Sequence, residues 1–129
     1  MLQAASVAGK EVGESALGPI SGLLTPAERD APLCELIVAG FLYEAEVYPS
    51  RDFAFRHPLT REVAYGSQLA EQRAKTHAAT ARSMVELEPD RHDELAALVA
   101  HHMEEGGETL EAARWSARST RTMRRGRWR

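Results

Sequence analysis

Apolar residues recur at helical spacing along most of this chain. Leu2, Ala5 and Gly9, with Val7 and Ala8 between them, predict a short helix ending near Gly9 and Lys10. Ala16, Leu17, Ile20, Leu23 and Leu24 form a second stripe, kept short or irregular by Gly18-Pro19 and Gly22. Thr25-Pro26-Ala27-Glu28 is a helix start. The threonine hydroxyl suits an N-cap, proline suits the first helical position, and Glu28 stands where a capping box needs it. Leu33, Leu36, Ile37, Gly40 and Phe41 then mark one face of a helix ending around Gly40. Pro32 should break that helix, unless the helix restarts after Asp30.

After Gly40 the pattern alternates. Phe41-Leu42-Tyr43 and Phe53-Ala54-Phe55-Arg56-His57 are short and aromatic, and a polar segment with Pro49, Ser50 and Asp52 separates them. They predict a two-stranded hairpin with a long connection, its aromatic face packed on the preceding helices. Three helices followed by a hairpin is the order of a winged helix. From Pro58 the helical period returns. Leu59, Val63 and Ala70, with Tyr65 and Leu69, mark one helix. Ala74, His77, Ala78, Ala81, Met84 and Val85 mark the next, which stops before Pro89. Leu95, Leu98, Val99 and His102 line a third, closed by Gly106-Gly107, and Leu110, Ala113 and Ala117 with Trp115 begin a fourth. Alanine-rich faces and short loops predict antiparallel helical hairpins, the beginning of a repeat array. The expected fold is therefore mainly α: a winged helix over 1–57, helical hairpins over 58–117, and a basic, disordered tail over 118–129.

Composition narrows the class. The 129 residues are 43% hydrophobic and 27% charged, which fits one folded domain or two very small ones and argues against intrinsic disorder. No apolar run approaches the roughly 20 residues that span a bilayer, and the first residues do not read as a signal segment. The single cysteine, Cys34, leaves no intramolecular disulfide and no cysteine-rich zinc site, and a reducing cytoplasm is the expected compartment. The net charge of -3 hides an asymmetry. Arg118, Arg121, Arg124, Arg125, Arg127 and Arg129 give the last twelve residues +6 and no acid, so residues 1–117 carry -9. An acidic body repels phosphate backbones and is a poor nucleic-acid binder. The arginine-rich end suits an acidic partner, RNA or a membrane surface, or is a solvated, frayed terminus.

Catalytic motifs are missing. Gly9-Lys10 is followed by Glu11, and Ala4 replaces the leading glycine of a phosphate-binding loop, so no nucleotide cofactor is expected. Of His57, His77, His92, His101 and His102, only the adjacent pair His101-His102 is close in sequence, and on a helix those two point about 100° apart. His77 and His102 continue apolar stripes and read as packed histidines, His57 as a turn residue before Pro58, and no metal is expected. His92-Asp93-Glu94-Leu95 spells a retention signal that is read only at a free C-terminus. Cys34 has no local basic partner. Asp93/Glu94 and Glu104/Glu105 read as solvated surface. A DNA-binding winged-helix regulator is the alternative, but its candidate recognition helix, 26–40, carries Glu28, Asp30 and Glu35 with Arg29 as its only cation.

The stretch Phe53-Ala54-Phe55-Arg56-His57-Pro58-Leu59-Thr60-Arg61-Glu62-Val63-Ala64-Tyr65 resembles the F-x-F-x-H-x-L-x-x-E-V-A-Y segment of large bacterial signalling ATPases of the STAND type. Many of these are fused to adenylate/guanylate cyclase or LuxR-type DNA-binding domains. The resemblance continues through Arg73 and His77, through Ala100-His101-His102-Met103-Glu104, and upstream over Leu2–Glu11. It implies a P-loop ATPase domain, then a winged helix, then tetratricopeptide-like repeats, of which this chain has the last two. The resemblance thus implies a piece of such a regulator: a non-catalytic arm whose partner is the ATPase or effector domain of a signalling protein. Arg56, His57, Arg61, Arg73, His77 and His101 are the interaction candidates it marks. His57 is also its candidate for closing over a nucleotide site.

Overall fold

The computed structural model describes residues 1–22, 25–47 and 51–126. Leu23, Leu24, Pro49, Ser50 and Arg127–Arg129, which entered the sequence reading, lie outside the described residues. The chain forms two compact units, Met1–Arg73 and Ala74–Arg129. Among the described residues it is mainly helical, with one small antiparallel sheet.

The first unit runs α1 (Leu2–Ala8), β1 (Glu11–Gly13), α2 (Glu14–Ser21), α3 (Pro26–Val38), β2 (Leu42–Glu46), β3 (Asp52–Phe55) and α4 (Pro58–Gly66). Gly9 ends α1 at φ 139° and Gly22 ends α2 in the left-handed region, at φ 78°. Both conformations favour glycine. At α3 the capping box is complete: Thr25 Oγ1 accepts from the Glu28 amide at 3.2 Å, and Glu28 Oε2 accepts from the Thr25 amide at 2.9 Å. Pro32 lies inside α3 without ending it. It forgoes one bond to the Glu28 carbonyl, and buried Leu33, one residue on, anchors the helix through that gap.

The sheet has three strands, not two, in the order β1-β3-β2 with both pairings antiparallel. Val12 faces Phe53 across one pairing, Tyr43 faces Ala54 across the other, and a bulge lies between Glu44 and Glu46. In the central strand β3, the consecutive residues Phe53 and Ala54, on opposite faces of the sheet, are both buried. Strand β3 stops at Phe55, leaving Arg56 and His57 in the link to α4. Arg51, just before β3, ties that strand to β2, α2 and α3. Its guanidinium donates to Glu44 Oε1 at 2.6 Å, lies 3.7 Å from Glu14 and 3.8 Å from Asp30, and sits over the Phe53 ring. The Glu44 hydrogen bond raises the already high Arg51 pKa further. Val7, Leu17, Leu33, Leu42 and Phe53 are the largest fully buried apolar side chains here, each contributing roughly 1.5–3 kcal/mol relative to an exposed one.

The expected single helix over Leu59–Ala70 is two elements, divided at Ser67–Leu69. Ser67 Oγ donates back to the Ala64 carbonyl at 2.9 Å, a local bond that competes with helix continuation. α4 lies in the unit Met1–Arg73 together with α1, to which Arg61 and Gln68 tie it.

The helix α5 (Ala70–Leu87) leads into the second unit, followed by a 3₁₀ turn (Pro89–Arg91), α6 (His92–Glu105) and α7 (Thr109–Gly126). Ala81, Val99, Met103 and Ala112 form its core, with Met84, Val85, Leu95 and Trp115 packed against it. The α5 stripe is as expected. Leu98 and Leu110, which mark the α6 and α7 stripes in the sequence, are exposed, while Ala112 of α7 is buried and Ala113 and Ala117 are exposed. Gly106 lies so close to α5 that a Cβ there would sit 3.0 Å from Ala78 Cβ. The stretch Arg118–Arg125, expected to be a frayed tail, is helical. Arginine is a good helix former, cations suit a helix C-terminus, and the bonds Arg114–Glu111 and Arg118–Asp93 brace the helix. No helix among the described residues is long and apolar enough to cross a membrane.

Candidate functional site

Two places gather the residues singled out in the sequence, one in each unit. In the first unit, α4 turns its apolar side outward. Leu59 is 68% and Val63 64% exposed, and with Phe41, 40% exposed, they line an open groove of about 630 Å³. Leu2 and Gln3 of α1 form its other wall, and His57 stands at its end. His57 is the N-cap residue of α4, yet its side chain makes no capping bond; only its carbonyl is used, accepting from the Thr60 amide at 3.1 Å. The imidazole is exposed on the groove instead of tied to the turn. Arg56 beside it is exposed, its guanidinium 5.8 Å from the Tyr43 ring centroid.

Arg61 and Arg73 are braces. Arg61 Nε donates to the Ser6 carbonyl at 3.1 Å, tying α4 to α1. Arg73 lies over the Tyr65 ring at 5.2 Å. The centre of the α1–α4 clasp is Gln68, which the sequence reading missed. Its buried amide nitrogen lies 3.1 Å from the Gln3 carbonyl, 3.2 Å from Ser6 Oγ and 3.2 Å from the Ala64 carbonyl. Gln3 Nε2 returns a bond to Ser67 Oγ at 3.1 Å. Glutamine carries no periodic signal, so nothing in the pattern pointed to this residue.

In the second unit three imidazoles meet. His77 and His102 are 3% and 2% exposed, and their Nδ1 atoms are 2.8 Å apart. The exposed His101 ring stands edge-on to His77 at 6.0 Å. A 2.8 Å separation is a hydrogen bond, one ring donating and the other accepting. It is shorter than the roughly 3.3 Å between two nitrogens on one tetrahedral zinc. Among the described residues no three His, Cys, Asp or Glu side chains are grouped to hold a metal. His101 also borders a shallow groove of about 560 Å³ between α6 and α7, with Glu104, Ser116 and Met123.

No protein-family model, no curated protein and no solved structure matches this chain. The six interaction candidates thus divide by geometry. His57 and Arg56 are presented to solvent beside an apolar groove, Arg61 and Arg73 stabilise the unit that carries it, and His77 is internal to the second unit with His101 at its surface. Cys34 is exposed on α3.

Proposed function

We propose that the chain is a non-catalytic regulatory and protein-interaction module, comparable to the arm that follows the ATPase domain in STAND-type signalling ATPases. The observation that carries this reading is the outward apolar side of α4. Phe41, Leu59 and Val63 are exposed and line the same groove, and apolar side chains gathered in water in this way support a docking role. Leu59 and Val63 fall in the segment that resembles the family, and His57 adds an exposed imidazole beside them. The partner in this reading is the P-loop ATPase domain of such a regulator, held in its resting state by the docked arm.

The order helix–strand–helix–helix–hairpin, with the first strand paired on the last, supports a winged-helix reading of the first unit. The antiparallel bracket of α6 and α7 supports a repeat-like reading of the second. A DNA-reading role draws no such support. Glu28, Asp30 and Glu35 of α3 are exposed, while Arg29 is buried, so a phosphate backbone would meet carboxylates. The test is enzymatic. Added in excess to a purified STAND-type ATPase domain, the chain should slow ATP turnover; unchanged turnover at saturating chain contradicts the proposal.

A further inference from the structure

We propose that α7, with Asp93 of α6, forms a binding site for a phosphate monoester. Arg118, Arg121 and Arg125 stand at i, i+3 and i+7 on α7 and therefore share one side of the helix. With Asp93 and Thr122 they line a concavity of about 300 Å³.

One of the three guanidinium groups is already oriented. Arg118 Nε donates to Asp93 Oδ1 at 2.6 Å, and its planar head lies 5.4 Å from the Trp115 ring centroid. That arrangement commits Nε and leaves both terminal amino groups of the fork for a ligand. Arg121 and Arg125 are exposed and form no ion pair among the described residues. Thr122 spends its hydroxyl hydrogen on the Arg118 carbonyl at 3.1 Å, so it shapes the wall and donates nothing to the ligand.

Charge selects the ligand class. Three guanidinium groups less the Asp93 carboxylate leave a local charge of +2. A phosphate monoester carries close to two negative charges at neutral pH, whereas a phosphodiester or a carboxylate carries one. Guanidinium forks match phosphate oxygens in pairs. Among the described residues, the aromatic ring that meets these arginines is Trp115, under Arg118; it packs against the core and is a poor stacking platform for bases, which disfavours a nucleic-acid strand. The site uses none of the residues of the groove and stands or falls separately from the proposed function.

The experiment follows the arginine Nε–Hε signals of the full-length chain by NMR while inorganic phosphate is added at neutral pH, with chloride at matched ionic strength as control. The expected result is saturable shifts at Arg118, Arg121 and Arg125 with phosphate only. Arg121→Ala should weaken binding at least about fivefold. Arg124→Ala removes the same charge from a residue that does not line the concavity and should change affinity less than about twofold by screening alone. Asp93→Asn raises the local charge but frees Arg118, and no gain in affinity is expected. Shifts that chloride reproduces, equal losses in Arg121→Ala and Arg124→Ala, or tighter binding by Asp93→Asn would each overturn the site in favour of diffuse charge. Phosphatidylcholine vesicles with and without phosphatidic acid identify the source. Binding that needs phosphatidic acid and Arg121 assigns a lipid headgroup, and binding of free phosphate alone assigns a soluble monoester. Single-stranded RNA that binds more tightly than phosphate irrespective of Arg121→Ala also overturns the proposal. Unchanged helical circular dichroism establishes that each variant is folded.

Discussion

His77 and His102, twenty-five residues apart, meet nitrogen to nitrogen at 2.8 Å inside the second unit. One Nδ1 must carry the hydrogen and the other the lone pair, so the two rings differ in tautomer while both are neutral. Long-range ¹H–¹⁵N spectra at neutral pH are expected to show one protonated and one bare Nδ1. Two rings protonated only at Nε2 would contradict this geometry. Replacing His102 by Ala leaves a cavity and a buried ring short of its partner, an expected loss of about 2–4 kcal/mol in denaturant unfolding.

The Gln68 clasp makes a sharper demand. Its amide donates toward two carbonyls and a hydroxyl, so a carboxylate there would face lone pairs. Gln68→Ala is expected to cost about 1–3 kcal/mol, and Gln68→Glu more than Gln68→Ala despite its closer size. The reverse order in chemical denaturation would show that Gln68 serves by packing rather than by donation.

Gly106 is needed for space and not for backbone freedom. Its φ of -82° is ordinary, but a Cβ would meet Ala78 Cβ and N at 3.0 Å and the His102 carbonyl at 3.1 Å. Gly106→Ala should therefore destabilise the second unit by roughly 1–3 kcal/mol. Pairing it with Ala78→Gly, which removes the Cβ contact, should recover part of the loss; a strictly additive double mutant would place the strain elsewhere.

These residues show where sequence reading stops. Chemistry local in sequence was legible: the Thr25–Glu28 box, the glycine stops at Gly9, Gly22 and Gly107, and the α5 stripe follow from neighbours within a turn or two. Strand β1 was not, because three residues, Glu11-Val12-Gly13, acquire strand character only from pairing with β3. Leu59 and Val63 mark a helix in the sequence, but periodicity reports an apolar stripe without saying whether anything covers it. The His77–His102 contact and the Gln68 clasp join residues 25 to 65 positions apart, and polar types carry no period that would reveal them.

The Asp93–Arg118 bond also sets a pH dependence. The guanidinium hydrogen bond holds the Asp93 carboxyl below its ordinary range. A depressed carboxyl supports the fold above its unfolded value, near 3.9, and the support is lost as pH falls through the lower folded value. Carboxyl ¹³C titration should place the Asp93 midpoint below about 3.9, and Arg118→Ala should raise it. An unchanged midpoint in the variant would mean that the bond does not persist in solution.

Docking through the outward side of α4 is the centre of the functional account, and a charge placed there tests it. Val63 is largely exposed, so Val63→Asp should leave folding stability within about 0.5 kcal/mol. In calorimetry against a purified STAND-type ATPase domain, the unsubstituted chain should bind and Val63→Asp should bind at least about tenfold more weakly, a difference of about 1.4 kcal/mol. Equal affinities, or no binding by either chain, would contradict the account.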